Sequence, residues 1–477
     1  MFRLKHAMTN TFLMLCMLLF SSSLYAKVYD PNKTITIYVH GYNPNGYHRS
    51  GIYGENSYED IFDKITPYTN LPTVFDPQNT DKPNVIAATS YYGDTPPQYY
   101  TQKDIDEIDA ITQEYGGGIP RYAMIVAKYA KHLLEQTGAQ QVNFVSGSMG
   151  SLVTRWLIEK NLENLASEKK IARWLSVEGV INGNYAASKS LLFKLYDELE
   201  NVSVDVDHMK YKWIARNLSN PRTIGQSPYY KDILLGFETS TDDSAKDGLM
   251  TKVMILKGQF QPNDGYQAAG DTYLADILPQ YRFLGQNPTH TYLHKTHLGI
   301  KDSPALWAEV TNFITSNKRV RITLTKAKVN DIKEKNRWYF KKLPAEIIFE
   351  SSIYAPSLWL KWGITEPICK QSYDGGVPPI VKYRKKRQTK VLSQVLFDDF
   401  VTPVEDTLNV QISVKELDGD LRYKVYESFR DRVYAKIGTV NFSVPLKNGI
   451  YPFRARKFSG EVKVEVINYP FPQISLN

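Results

Sequence analysis

Two rhythms of apolar and polar positions divide this chain. Thr34-Ile35-Thr36-Ile37-Tyr38-Val39 is an unbroken β-branched run that predicts a strand buried on both faces, and Val85 to Ala88 predicts a second. From Arg121 to Thr137 the apolar residues Tyr122, Val126, Tyr129, Leu133 and Leu134 fall at helical spacing, and Gly138 stands where a left-handed residue closes a helix. Val142-Asn143-Phe144-Val145 predicts the next strand and Leu152 to Lys160 the next helix; Trp174 to Val180 and Lys252 to Lys257 predict strands, and Ser303 to Thr315 a closing helix. Alternation of this kind implies an α/β fold with a mostly parallel sheet. Between about Asn182 and Asp247 the pattern turns helical and aromatic-rich, with Tyr185, Leu191, Leu192, Phe193, Tyr196, Trp213, Tyr229 and Tyr230, and predicts a helical cap inserted into that fold. After Ser316-Asn317-Lys318 the period becomes two: Val320 to Thr325, Leu408 to Val414 and Glu461 to Val466 predict a C-terminal β-sandwich.

The N-terminus has its own pattern. Arg3 and Lys5 precede an apolar run from Phe12 to Phe20, followed by Ser21-Ser22-Ser23-Leu24-Tyr25-Ala26, the order of an export signal. That run is too short to span a bilayer. The expectation is a signal peptide over residues 1–26, a mature chain from about Lys27, and a periplasmic or secreted destination. Cys16 lies in the signal and Cys369 alone remains, so an intramolecular disulfide is ruled out in the mature chain. No Cys or His cluster shows zinc spacing, so no metal or other cofactor is expected at the reactive centre.

Composition, 42% hydrophobic and 23% charged over 477 residues, excludes a disordered chain and a multi-span membrane protein. Such a length calls for two folded units, residues 27–317 and 318–477. Charge separates them: the second carries about 29 basic and 17 acidic side chains, net about +12, and the first is near −6.

The candidate chemistry sits where a strand meets a helix. In Val145-Ser146-Gly147-Ser148-Met149-Gly150 the small residues two positions either side of Ser148 allow a sharp, strained turn that lifts the Ser148 hydroxyl above the sheet. The Met149 amide, at the positive end of the following helix, then points toward an oxyanion formed on attack. His40-Gly41-Tyr42 follows the first strand, so the Tyr42 amide is a candidate second donor and His40 is structural. Asp264 lies in the loop Pro262-Asn263-Asp264-Gly265-Tyr266-Gln267 after the predicted strand 252–257, and His297 stands in Thr296-His297-Leu298-Gly299 before the closing helix. The order serine, acid, histidine is Ser148, Asp264, His297, with His290 and His294 as alternatives for the base and Asp247 and Asp271 for the acid.

These residues resemble the α/β-hydrolase family, and within it the lipase-like serine esterases, over residues 34 to 316. The resemblance implies Ser148 as nucleophile, His297 as general base, Asp264 as the orienting acid, and Tyr42 and Met149 as oxyanion-hole positions. Ser146 departs from the usual glycine. An exported carboxylic ester hydrolase acting on lipid or acyl esters is therefore expected, with an acyltransferase or amidase on the same triad, or a non-catalytic binding protein on that scaffold, as alternatives. The β-rich part resembles a C2-like domain, in which Asp398, Asp399, Glu416, Asp418 and Asp420 are candidate calcium ligands. Its run Lys382, Arg384, Lys385, Lys386, Arg387 and Lys390 suits an anionic membrane surface. Nucleic acid is not an expected partner of an exported chain.

Overall fold

The computed structural model describes residues 29–42, 51–54, 59–73, 80–189, 203–218, 227–242, 262–275, 277–330, 332, 344–373, 376–417 and 434–469. Six strands form a parallel sheet: β1 (Thr34–Val39), β2 (Ile86–Thr89), β3 (Gln141–Gly147), β4 (Ile171–Val177), β5 (Leu234–Ser240) and β6 (Thr289–Leu293), in the order β2-β1-β3-β4-β5-β6. Every residue of β1 to β5 is buried, as expected of parallel strands covered on both faces. Helices α1 (Gln102–Tyr115), α2 (Gly118–Thr137), α3 (Met149–Glu159) and α4 (Pro304–Thr315) flank the sheet. A capping box between Thr101 and Asp104 starts α1, and Gly138, at φ 66°, ends α2 as predicted.

Register sets the site. Val39 pairs with Ser146, Gly147 with Val177 and Val177 with Glu238, so β1, β3, β4 and β5 deliver their C-terminal ends to one edge of the sheet. In open α/β sheets that edge carries the ligand crevice.

The cap differs from its expected extent. Residues 234–240, placed by the sequence inside the 182–247 insertion, form β5. Glu238, Thr239 and Ser240 break the apolar run that would have marked a strand. The helical part seen within that stretch is Tyr185–Lys189, Ser203–His208 and Tyr211–Asn217. The predicted strand 252–257, residues 1–26, Leu191, Leu192, Phe193, Tyr196 and Asp247 lie outside the described residues.

From Lys318 onward two antiparallel sheets share one core. One has the order β11-β7-β15-β14, from β7 (Lys318–Val329), β11 (Gln388–Val401), β14 (Gly449–Arg454) and β15 (Phe458–Asn468). The other contains β8 (Ala345–Tyr354), β9 (Cys369–Gln371), β10 (Val381–Tyr383), β12 (Thr407–Leu417) and β13 (Tyr434–Pro445). Pairing changes from parallel in β6 to antiparallel in β7, and residues 31–469 make one compact unit. Ala305 and Ala308 of α4 belong to the core of the β-rich part, and Phe400 and Tyr469 pack with α4 on the other side. Buried Arg319 bridges the junction, bonding Asp398 at 2.7 Å and the Asn287 carbonyl at 2.8 Å.

Candidate active site

Ser148 stands between β3 and α3 at φ 49° and ψ −123°. A side chain held there costs about 1–3 kcal/mol, so its neighbours must impose it. The Ser148 amide donates to the Val177 carbonyl at 3.0 Å and the Ser148 carbonyl accepts from Val180 at 2.9 Å, which stitches the turn to the loop after β4. Gly150 is obligatory: a Cβ there would lie 2.3 Å from the His40 carbonyl oxygen. Ser146 fills the place of a glycine without conflict, because its hydroxyl accepts from Trp174 Nε1 at 2.8 Å and adjoins Ser151.

Three distant side chains meet at this turn. His297 Nε2 lies 3.0 Å from Ser148 Oγ and its Nδ1 lies 2.8 Å from Asp264 Oδ2. Asp264 is locked in place, its Oδ1 accepting the Tyr266 and Gln267 amides at 3.0 and 2.7 Å. The His297 amide donates to the Asp264 carbonyl at 3.0 Å, so acid and histidine are also tied through the backbone. The cap joins in from below: Asn184 donates to the Tyr266 carbonyl and Gln267 to the Gly183 carbonyl, both at 2.8 Å. Burial alone would lower the His297 pKa, but the Glu178 and Asp264 carboxylates outweigh it and hold it up at about 9.

Glu178 is the member that sequence reasoning missed. It follows β4, is fully buried, adopts φ 45°, and sets Oε2 3.5 Å from His297 Nδ1. Neither of its carboxylate oxygens has a hydrogen-bond partner. Burial pushes its carboxyl up to about 8, against the pull of His297. The available signal was an acid inside the predicted strand 174–180, directly before Gly179. Glu178, Asp264 and His297 offer ligand atoms within 4.8 Å of one another, as a metal would require. Both ring nitrogens of His297 are already engaged, Nε2 with Ser148 and Nδ1 with Asp264, which favours a proton-transfer chain over coordination.

The remaining candidates fall elsewhere. His290 Nε2 bonds Thr239 at 2.8 Å, and burial lowers its pKa to about 4; His294 meets Ser372 at 3.3 Å; Asp271 accepts from Tyr211 at 2.5 Å. His40 stacks on Tyr91 at 3.8 Å, and the Tyr91 hydroxyl donates to the His40 carbonyl at 2.7 Å, holding the turn that carries Gly41 and Tyr42. Gly41 lies directly against the nucleophile: a Cβ on it would be 2.9 Å from Ser148 Cβ. Tyr42 is half-buried beside it, and buried Met149 opens α3. Of the candidate calcium ligands, Asp398 is bound by Arg319 and Arg321, Glu416 is buried on β12, and Asp418 and Asp420 lie outside the described residues.

A parallel sheet flanked by helices, with a strained serine between strand and helix, is the fold of the α/β-hydrolases. No family model matches the chain, and no curated protein matches it. Among solved structures it is similar to a metagenomic carboxyl esterase, at 16% identity over 56% of this chain and 65% of that one, with a TM-score of 0.34. The chain thus spans less than two thirds of that esterase. It is also similar to a Bacillus licheniformis lipase in its propeptide form (10% identity, 91% and 97% covered, TM-score 0.36) and to a phospholipase of Legionella pneumophila (10%, 87% and 90%, 0.34). These likenesses are distant, and the chemistry rests on the site.

Proposed function

We propose that this chain is an exported serine hydrolase that cleaves carboxylic esters through an acyl-enzyme on Ser148. The observation that carries the reading is the unbroken chain from Ser148 Oγ through His297 to Asp264, at 3.0 and 2.8 Å, built on a strained turn. As Ser148 attacks an ester carbonyl, His297 Nε2 takes the hydroxyl proton and then gives it to the leaving alcohol; water reverses the sequence to release the acid. Asp264 keeps the Nδ1 proton in place and stabilises the imidazolium. The amides of Tyr42 and Met149 are the oxyanion donors.

The substrate class is lipid or acyl esters. The cap's aromatic helices reach the acid loop through Gly183 and Asn184, and Lys382, Arg384, Lys385, Lys386 and Arg387 are exposed, as are Trp359 and Leu360. Exposed cations and apolar side chains on one part of the chain suit an anionic lipid surface. The decisive experiment is fluorophosphonate labelling of the wild type, Ser148→Ala and His297→Ala, followed by p-nitrophenyl esters of graded chain length with and without anionic vesicles. Labelling of the wild type alone supports the reading. A wild type that stays unlabelled with vesicles present overturns it.

A further inference from the structure

We propose that Glu238, Glu309 and Asp399 form a buried site for a hard divalent cation, calcium by its donor set, which joins the parallel sheet, the closing helix and the β-rich part. Glu238 comes from β5, Glu309 from the middle of α4 and Asp399 from β11, and their side chains are 0%, 1% and 1% exposed. One carboxylate oxygen from each lies within 4.8 Å of the others. Separations of no more than 4.8 Å fit oxygens gathered around one cation, with calcium–oxygen bonds of about 2.4 Å.

Unmet bonding points to a ligand independently of the acids' proximity. Neither oxygen of Glu238 and neither oxygen of Glu309 has a hydrogen-bond partner. Thr291, paired with Glu238 across β5 and β6 and fully buried, has an unpartnered hydroxyl as well. Ionised carboxylates only accept, so side chains turned on one another at this range need either shared protons or a positive charge among them. Among the described residues no Lys or Arg forms an ion pair with Glu238, Glu309 or Asp399, and the neighbouring Arg319 is held by both oxygens of Asp398 at 2.7 and 2.9 Å. An all-oxygen set of carboxylates and a hydroxyl suits calcium, whereas protein zinc sites favour His nitrogen and Cys sulfur.

The test uses the full mature chain, stripped with EDTA and then titrated with calcium chloride or magnesium chloride. Equilibrium dialysis reads bound calcium, and calorimetry reads Tm. The expected result is a bound calcium that raises Tm by about 5 °C in excess metal, with the same rise kept in Ser148→Ala and Asp264→Asn. Glu309→Gln and Asp399→Asn should each lose both the bound calcium and the rise. A wild type that binds no calcium and melts alike in calcium and EDTA overturns the site in favour of carboxyl groups sharing protons. Calcium binding retained in both variants overturns it too, by placing the ion elsewhere. The dialysis of wild type decides the first point even if a variant fails to fold.

Discussion

Two clusters of buried acids lie one strand apart in this protein, and they meet the same electrostatic problem differently. At the first, Glu178 and Asp264 converge on His297; at the second, Glu238, Glu309 and Asp399 converge on one another. The clusters even touch through the backbone, since the Glu178 amide donates to the Glu238 carbonyl at 2.7 Å. Burial raises Glu178 to about 8, Asp399 to about 6, and Glu238 and Glu309 well above the usual carboxylate range. The first cluster contains its own titratable cation and can therefore move a proton. The second has no histidine, so its charge is relieved either by protons that the acids share or by a cation from outside.

The largest expected effect breaks the first cluster and spares the second. Ser148→Ala or His297→Ala should lower kcat/KM for any accepted ester by about 10⁴-fold or more, while Tm and its response to calcium stay near wild type. A comparable loss of calcium response would merge the two clusters into one functional unit. Next comes Asp264→Asn, expected to cost about 10³–10⁴-fold in kcat, because an amide at that position favours the wrong histidine tautomer. Residual activity in this variant that vanishes in Asp264→Asn/Glu178→Gln would show Glu178 substituting for the lost acid; steady-state kinetics of the two proteins decide it.

At the second cluster's edge the internal cation is Arg319, 1% exposed and bonded to Asp398 through two nitrogens. Arg319→Met should lower stability by about 3–5 kcal/mol, since it leaves a buried carboxylate with only Arg321 to face it. Urea unfolding measures this, and a loss below about 1 kcal/mol would mean that Asp398 relaxes toward solvent.

Much of the first cluster was legible in the sequence because it obeys local rules. β1 runs from Thr34 to Val39 as read, the Ser146 to Gly150 turn is where small residues place it, and Asp264 and His297 occupy loops in chain order. The second cluster leaves no such trace. Glu309 sits within a helix whose residues from Ala305 to Ile314 are all buried, and no spacing along the chain tells a buried glutamate from an exposed one. Glu238 is hidden by the same polar ending that disguised β5. Asp399 reads as a loop ligand beside Asp398, Glu416, Asp418 and Asp420, whereas three-dimensional packing turns it toward Glu238 and Glu309. Glu178 falls between these cases: the sequence read it inside the strand 174–180, whereas β4 ends at Val177, and its 3.5 Å approach to His297 was not visible.

The smallest expected effect is the one that separates a reactive acid from a merely buried one. His297 must be neutral to accept the Ser148 proton, so kcat/KM should rise with pH through the His297 pKa, which the two carboxylates hold at about 9. Glu178→Gln removes one of those charges, lowers that pKa and should shift the rising limb toward neutral pH by on the order of one unit. The variant would then outperform wild type at about pH 8 to 9, where Glu178 is ionised, while matching it at pH 7, where Glu178 is already neutral, and at high pH. Stability should move with the same sign. Glu178 holds its proton to about 8 in the fold but releases it near 4.5 when unfolded, so wild type loses stability as pH climbs across that interval. In Glu178→Gln that part of the decline should be absent from Tm measured between pH 5 and 8. A rate profile whose limb stays in place while the Tm profile flattens would make Glu178 a structural acid that never reaches the histidine's proton. A shift in both would establish it as the residue that sets the pH at which this site works.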